Sequence, residues 1–191
     1  MLDLVTALAA ALATRSRAVL APPGKTLAAV LVPVLAVGGE PSLLFTRRSN
    51  LLPHHQGQIA FPGGRHHPGT DADLAATALR EAQEEIGLAP ADVRLLGPLD
   101  DLETVSTRFL ITPFVGVVPH PYDFKPCPDE VDVIFTVPLA RLRSPDALRR
   151  ELWDFGGRKV PIDTYPVDGQ IIWGATQRIT RNLLAVLEGL S

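Results

Sequence analysis

The chain alternates between apolar stretches of helical rhythm and short apolar runs bounded by turn residues. Leu4–Ala13 is apolar and alanine-rich, and predicts an amphipathic opening helix over residues 2–16. After Pro22-Pro23-Gly24, the run Leu27–Val37 predicts a strand. Gly38-Gly39-Glu40-Pro41 then predicts a turn, and Ser42–Arg48 its antiparallel partner. Gln58–Phe61 reads as a short extended piece entering a loop over Pro62–Thr70. A helix is predicted over 73–86, stopped by Gly87. Strands are predicted at 92–100, 109–118 and 131–137, a short helix at 145–152 and a closing helix at 175–189. Strands and helices in this order predict an α/β (α+β) fold, a mixed β-sheet with helices packed on it. No internal repeat, heptad or long linker divides the chain, so residues 1–191 read as a single domain with an N-terminal and a C-terminal helix.

Composition narrows the function. The 191 residues are 46% hydrophobic and 20% charged, enough apolar material for a core, which argues against disorder. With 18 Lys and Arg against 21 Asp and Glu, the net charge is −3, which argues against a nucleic-acid partner. The single cysteine cannot close an internal disulfide. The longest apolar run, Leu27–Val37, is shorter than the roughly 20 residues of a spanning helix. Arg15 and Arg17 follow the N-terminal apolar stretch rather than precede it, the reverse of a secretory signal. A cytoplasmic protein with no membrane partner is the expectation.

The stretch 74–88, LAATALREAQEEIGL, carries the chemistry. At 100° per residue, Ala75, Leu79, Ala82 and Ile86 form the expected core stripe. Glu81, Glu84 and Glu85 share the other side and are expected to be surface groups. Like charges one turn apart cost roughly 0.2–0.5 kcal/mol per pair, and the C-terminal end of a helix disfavours anions further. A solvated acidic face is one reading. The other is a bound divalent cation, which relieves both penalties. Carboxylates without thiolates favour Mg²⁺ or Mn²⁺ over zinc. The preceding Gln58-Ile-Ala-Phe61-Pro62-Gly63-Gly64 adds a rigid turn and two glycines that allow close backbone approach to a ligand. An acidic metal-binding helix beside such a loop suits a substrate that brings its own phosphates, and predicts metal-assisted hydrolysis at phosphorus.

Other constellations offer less. His54, His55, His66, His67 and His120 lack zinc spacing, and Cys127, between two prolines, has no base beside it in sequence. Glu130 reads either as an additional base or as a solvated loop acid. Trp153, Trp173, Tyr122 and Tyr165 read as packing residues, or as a platform for a base.

The helix resembles the second half of the Nudix hydrolase signature, G-x5-E-x7-R-E-U-x-E-E-x-G-U. Arg80-Glu81-Ala82-Gln83-Glu84-Glu85-Ile86-Gly87-Leu88 matches it, with Ala82 a small stand-in for the aliphatic residue. The first half departs: between Gly64 and Arg80 lie two residues more than the signature allows. The isolated glutamate position falls on Thr70 or Ala72, depending on the direction of counting. Asp71 and Asp73 are the nearest acids, and Thr70 or Asp71 reads as the helix N-cap. Leu44–Ser49, Gly57–Gly64 and Ile172–Thr176 are similar to the coenzyme A pyrophosphatase branch, although that branch expects arginine where Pro53 stands.

The resemblance implies a mixed-sheet α/β/α sandwich and cleavage of coenzyme A to 4′-phosphopantetheine and adenosine 3′,5′-bisphosphate. It implies Glu81 and Glu85 as principal metal ligands, Glu84 as a further ligand or the group that orients water, and Arg80 as a clamp on a glutamate. Around them, Arg47, Arg48, Gln58, Phe61, Gly63 and Gly64 are the expected substrate-binding residues. Neighbours on a strand point to opposite faces, so at most one of the two arginines reaches the phosphates. The alternatives are hydrolysis of ADP-ribose or another nucleoside diphosphate derivative, and a non-catalytic nucleotide-binding regulator of the same fold.

Overall fold

The computed structural model describes residues 1–104 and 108–190. Helix α1 (Leu2–Thr14) leads into β1 (Thr26–Val37) and β2 (Glu40–Arg48). Short strands β3 (Ile59–Ala60) and β4 (Gly63–Arg65) precede helix α2 (Leu74–Ile86). Next come β5 (Arg94–Pro98), β6 (Leu102–Glu103), β7 (Phe109–Val117) and β8 (Val131–Pro138). Helix α3 (Leu139–Leu142), strands β9 (Arg149–Phe155), β10 (Arg158–Val167) and β11 (Gln170–Ile172), and helix α4 (Gly174–Glu188) complete the chain.

Strand β1 organises the sheet. It runs parallel to β7 from Thr26↔Phe109 to Val34↔Val117. On its other edge it pairs antiparallel with β4 and then, further along, with β2. The β3–β4 segment thus wedges between β1 and β2, since β3 pairs with the far end of β2. The result is a mixed sheet, as the order of elements predicts. A second antiparallel sheet, β9–β10–β11, stands apart from it.

The near-continuous apolar run of β1 is explained by burial on both faces. Ala29, Leu31 and Leu35 pack with Ala78, Ala82 and Ile86 of α2. Val32 and Val34 pack with Leu8 and Leu12 of α1 and with Ile179, Leu183 and Leu187 of α4. Helices therefore cover both faces, the layered arrangement expected.

Four local expectations are corrected. The opening helix ends at Thr14, where Arg15 turns extended. The strand predicted at 92–100 is only Arg94–Pro98, preceded by a 3₁₀ turn at Pro90–Asp92. The segment 145–152 is not helical: its residues from Arg149 onward belong to β9, because Gly156-Gly157, both at positive φ, form the two-residue turn that folds it against β10. Finally, the buried face of α2 is Thr77, Ala78, Ala82, Glu85 and Ile86, whereas Ala75 and Leu79 are half-buried. The stripe is rotated because α2 sits over β1 and β4 together, and β4 offers only glycine backbone there.

Candidate active site

Helix α2 starts at Asp73, whose carboxylate accepts the Ala76 N–H at 2.7 Å. Asp73 is therefore the N-cap in place of Thr70 or Asp71. At the other end Gly87 takes φ +68°, a left-handed conformation that glycine adopts without strain. The N–H groups of Lys125 and Cys127 donate to the carbonyls of Ile86 and Glu85, both at 2.9 Å. The loop before β8 thus covers the negative end of the helix, where the glutamates cluster.

The α2 glutamates differ sharply in environment. Glu85 is only 5% exposed, against the expectation of a surface group. Its Oε2 accepts the Gly63 N–H at 3.3 Å. Burial pushes its pKa up to about 8; the positive charge of Arg48 opposes this, while Glu81 and Glu130 add to it. Glu81 is half-buried and is also raised, again chiefly by burial, with Arg80 opposing. Its carboxylate lies directly over Gly64: a Cβ on that glycine would stand 2.5 Å from Glu81 Cδ and Oε2. A Cβ on Gly63 would meet the Ala29 carbonyl oxygen at 2.4 Å. The two glycines therefore let β4 lie between β1 and the carboxylates. Gly64→Ala is expected to displace Glu81 and reduce turnover about a hundredfold while the protein remains folded, checked by kcat alongside thermal unfolding.

A second cluster holds the helix from outside. Asp71 is buried, and its carboxylate accepts Arg80 Nε at 2.7 Å and Nη2 at 3.0 Å. It also accepts the His67 N–H and the Thr77 hydroxyl, each at 2.9 Å. These bonds, those from Arg80 foremost, hold the Asp71 carboxyl well below the usual carboxylate range, and Arg80 is raised in turn. Arg80 Nη1 donates to Glu81 Oε1 and Glu84 Oε2, both at 2.9 Å, and Nη2 also donates to the Arg65 carbonyl. Glu84 is exposed and turned toward Arg80.

The remaining predicted residues divide. Arg48 stands where Glu85 feels its charge, and its Nε is buried without a hydrogen-bond partner. Arg47 instead pairs with Asp132 at 3.1 Å, beside an irregularity in the β2–β8 register. Gln58 is half-buried, and its Oε1 lies 3.0 Å from His55 Nδ1. Phe61 is 3% exposed and stacks on Phe45 at a centroid distance of 4.8 Å, so its ring supports the glycine turn from within the core instead of lining a cleft. Glu130 is half-buried, and its negative charge adds to the upward shift of both Glu81 and Glu85. Asp71 is the residue whose role the spacing obscures. Its signal is the acid ahead of the helix N-cap, nine residues before Arg80.

Glu81 and Glu85 present hard oxygen donors against glycine backbone, and burial disfavours their charge unless a cation is supplied. Among the described residues no three His, Cys, Asp or Glu side chains converge into a closed metal cage. The donor set fits a hard divalent ion that takes one or two carboxylates and completes its shell with water and substrate phosphate oxygens.

Comparison with known proteins gives a consistent picture. The family described as NUDIX domain matches residues 25–155. The "Uncharacterized Nudix hydrolase NudL" of Klebsiella pneumoniae subsp. pneumoniae is 40% identical over 167 residues, covering 82% of this chain and 80% of its own. The protein of the same name from Yersinia enterocolitica is 42% identical over 163 residues, covering 82% and 78%. Among solved structures, a MutT/nudix family protein from Enterococcus faecalis superposes with a TM-score of 0.60 at 12% identity, over 90% of this chain and 66% of that one. A C. elegans Ap4A hydrolase binary complex gives 0.55 at 18% identity, over 86% and 98%. These two structures show likeness of fold.

Proposed function

The chain belongs to the Nudix hydrolase family, and on that premise we propose that it is a divalent-metal-dependent pyrophosphohydrolase, using Mg²⁺ or Mn²⁺, whose substrate is coenzyme A or a derivative. The observation that carries the metal-dependent part is the pairing of buried Glu85 and half-buried Glu81 against the backbone of Gly63-Gly64. The coenzyme A part is supported by the resemblance of Leu44–Ser49, Gly57–Gly64 and Ile172–Thr176 to that branch.

When bound, the metal supplies charge neutralisation at the phosphoryl oxygens and a more acidic water for attack on phosphorus. The chain supplies the rest. Glu81 and Glu85 hold the ion, with Glu84 a further ligand or the group that orients water. Arg80 keeps Glu81 and Glu84 in place, and Asp71 keeps Arg80 in place. Arg48, whose positive charge acts on Glu85, supplies the cation beside the metal ligands for a charge-assisted contact with a pyrophosphate oxygen. Glu130, whose negative charge acts on both glutamates, is the candidate base. Water adds across the P–O–P bridge of coenzyme A, releasing 4′-phosphopantetheine and adenosine 3′,5′-bisphosphate.

Asp71 also bears on the alternative of a non-catalytic regulator. That reading draws on the departure of residues 64–80 from the family signature. The structure offers a carboxylate on Arg80 despite the two extra residues, which removes one reason to prefer it.

The test is kcat/KM for coenzyme A, dephospho-coenzyme A and ADP-ribose with Mg²⁺ or Mn²⁺. Coenzyme A is expected to lead, with dephospho-coenzyme A about tenfold lower because it lacks the 3′-phosphate that Arg47 can take in exchange for Asp132. The register irregularity between Arg47 and Arg48 lifts the alternation that would let only one of them reach a phosphate. Arg47→Ala is expected to erase most of that difference, and Arg48→Ala to depress all three substrates. Preference for ADP-ribose, or indifference to the 3′-phosphate, overturns the coenzyme A reading and leaves pyrophosphohydrolysis standing. No turnover of any nucleotide, with binding retained, supports the regulator.

A further inference from the structure

We infer that β9 is a self-association edge through which two copies of this chain pair antiparallel, joining the two small sheets into one. Strand β9 is the edge of the β11–β10–β9 sheet. Its seven residues pair with β10 in unbroken register from Arg149↔Thr164 to Phe155↔Arg158. Among the described residues, nothing pairs with its other edge. A free edge of that length is ordinarily blunted by charged side chains, lysine above all, by proline, a bulge or a covering element. The charges on β9 are of both signs, Arg149 and Arg150 against Glu151 and Asp154, so a second copy can match them instead of being repelled. β9 contains neither lysine nor proline, shows no bulge, and displays Leu152 at 68% and Phe155 at 51% exposure.

The occupant follows from symmetry and charge. Two identical antiparallel strands in one sheet are related by a two-fold axis perpendicular to it, so one residue must lie opposite its own copy across the axis. Centring on Arg150, Glu151 or Asp154 sets like charges face to face. Centring on Trp153 sets Leu152 opposite Asp154. Centring on Leu152 places two exposed leucines on the axis and Arg150 opposite the second copy's Asp154, twice. Opposite charges directly across a ladder are favourable, and like charges are not. Arg150 is already bonded through Nε and Nη2 to Asp163 on β10, at 2.7 and 3.0 Å. Asp163 also faces Arg181 at 3.7 Å. Pairing at Leu152 would extend this row across the axis as an alternation of signs: Arg181, Asp163, Arg150, then Asp154 of the second copy. A different protein would need a matching strand of its own; a second copy already has one.

The experiment is sedimentation velocity over a range of concentrations on the full chain and on charge-reversed variants. The wild type is expected to show a reversible monomer–dimer equilibrium. Arg150→Asp and Asp154→Arg are each expected to weaken it at least about tenfold, since each sets like charges across the axis. Mixing the two single variants is expected to restore association as a heterodimer, because one chain then offers only acids and the other only arginines at these positions. The double variant R150D/D154R is expected to dimerise with itself. Restoration by mixing separates a lost interface from a misfolded hairpin. A wild type that stays monomeric throughout overturns the inference, as does a dimer whose affinity the reversals and their mixture leave unchanged.

Discussion

Replacing Glu85 with Gln is expected to reduce kcat at least about 10³-fold and at the same time to make the metal-free protein more stable. The two effects share one cause. Glu85 is buried beside Glu81, and in the absence of a cation its charge is opposed chiefly by burial, with Arg48 the main compensation. A loss of 10³ corresponds to about 4 kcal/mol of transition-state stabilisation, within the range attributable to a metal ion held in place. Glutamine keeps the volume and a hydrogen-bond acceptor for the Gly63 N–H but removes the buried charge.

The pH dependence follows with a definite sign. The folded carboxyl titrates near 8 and an unperturbed one near 4.5. Between those values the folded state holds a proton that the unfolded state has released, so metal-free stability is greatest below the window and declines as pH rises through it. Thermal unfolding in chelator from about pH 5 to 8.5 should show this decline in the wild type and a flatter profile in Glu85→Gln. Calorimetric titration with Mn²⁺ should show weakened binding in the variant. Wild-type turnover in Glu85→Gln, or an identical pH profile, sinks the assignment.

The second large effect is at Asp71, which acts through Arg80. Asp71→Ala removes the carboxylate that accepts from Arg80 Nε and Nη2 and leaves the His67 N–H without its side-chain acceptor, while the Thr77 hydroxyl keeps the Asp73 carbonyl. Breaking a buried pair from one side typically costs about 3–5 kcal/mol. Arg80 keeps a quarter of its side-chain exposure, so about 3 kcal/mol is the expected loss in urea unfolding. With Arg80 released, Glu81 and Glu84 lose a fixed orientation, and kcat measured on folded protein should fall about a hundredfold with KM little changed. Asp71→Glu should recover part of both, since it restores the charge with imperfect reach. The wild type should in addition lose stability as pH falls below the ordinary aspartate range, because the depressed carboxyl contributes only while ionised. Unaltered stability in Asp71→Ala excludes the role described.

What could be read in advance and what could not have physical reasons. The strands β1 and β2 and helices α2 and α4 stand out because continuous apolar runs and 3.6-residue periodicity reflect burial directly. The inward turn of Glu85 is half visible. Ala78, Ala82, Glu85 and Ile86 share the spacing of one helix face, and an acid in such a position marks a charge carried inward. The stripe through Ala75 and Leu79 is the more apolar one in sequence, and glycine backbone in β4 gives no hydrophobic signal of what lies opposite. Asp71 was hidden by counting: two added residues break a fixed spacing, whereas burial and the Thr77 and His67 donors restore the contact in space. Hairpin β9–β10 was masked by charges at Arg149, Arg150 and Glu151 that suit a helix as well as a strand edge, leaving Gly156-Gly157 as the one decisive signal.

The loop that covers the end of α2 has a consequence for where this chain can be opened. The turn at Gly38-Gly39 has empty space around both glycines, and a tag or inserted module there would leave the carboxylates undisturbed. Residues 122–127 expose Asp123, Lys125 and Pro126 just as openly, yet two amides of this segment are the electrical termination of the acidic helix. Splitting or lengthening that loop would leave the carbonyls of Glu85 and Ile86 uncapped beside Glu81 and Glu85. Engineering at this outwardly disposable loop would therefore retune how strongly the active centre draws a cation, without altering any residue that holds one.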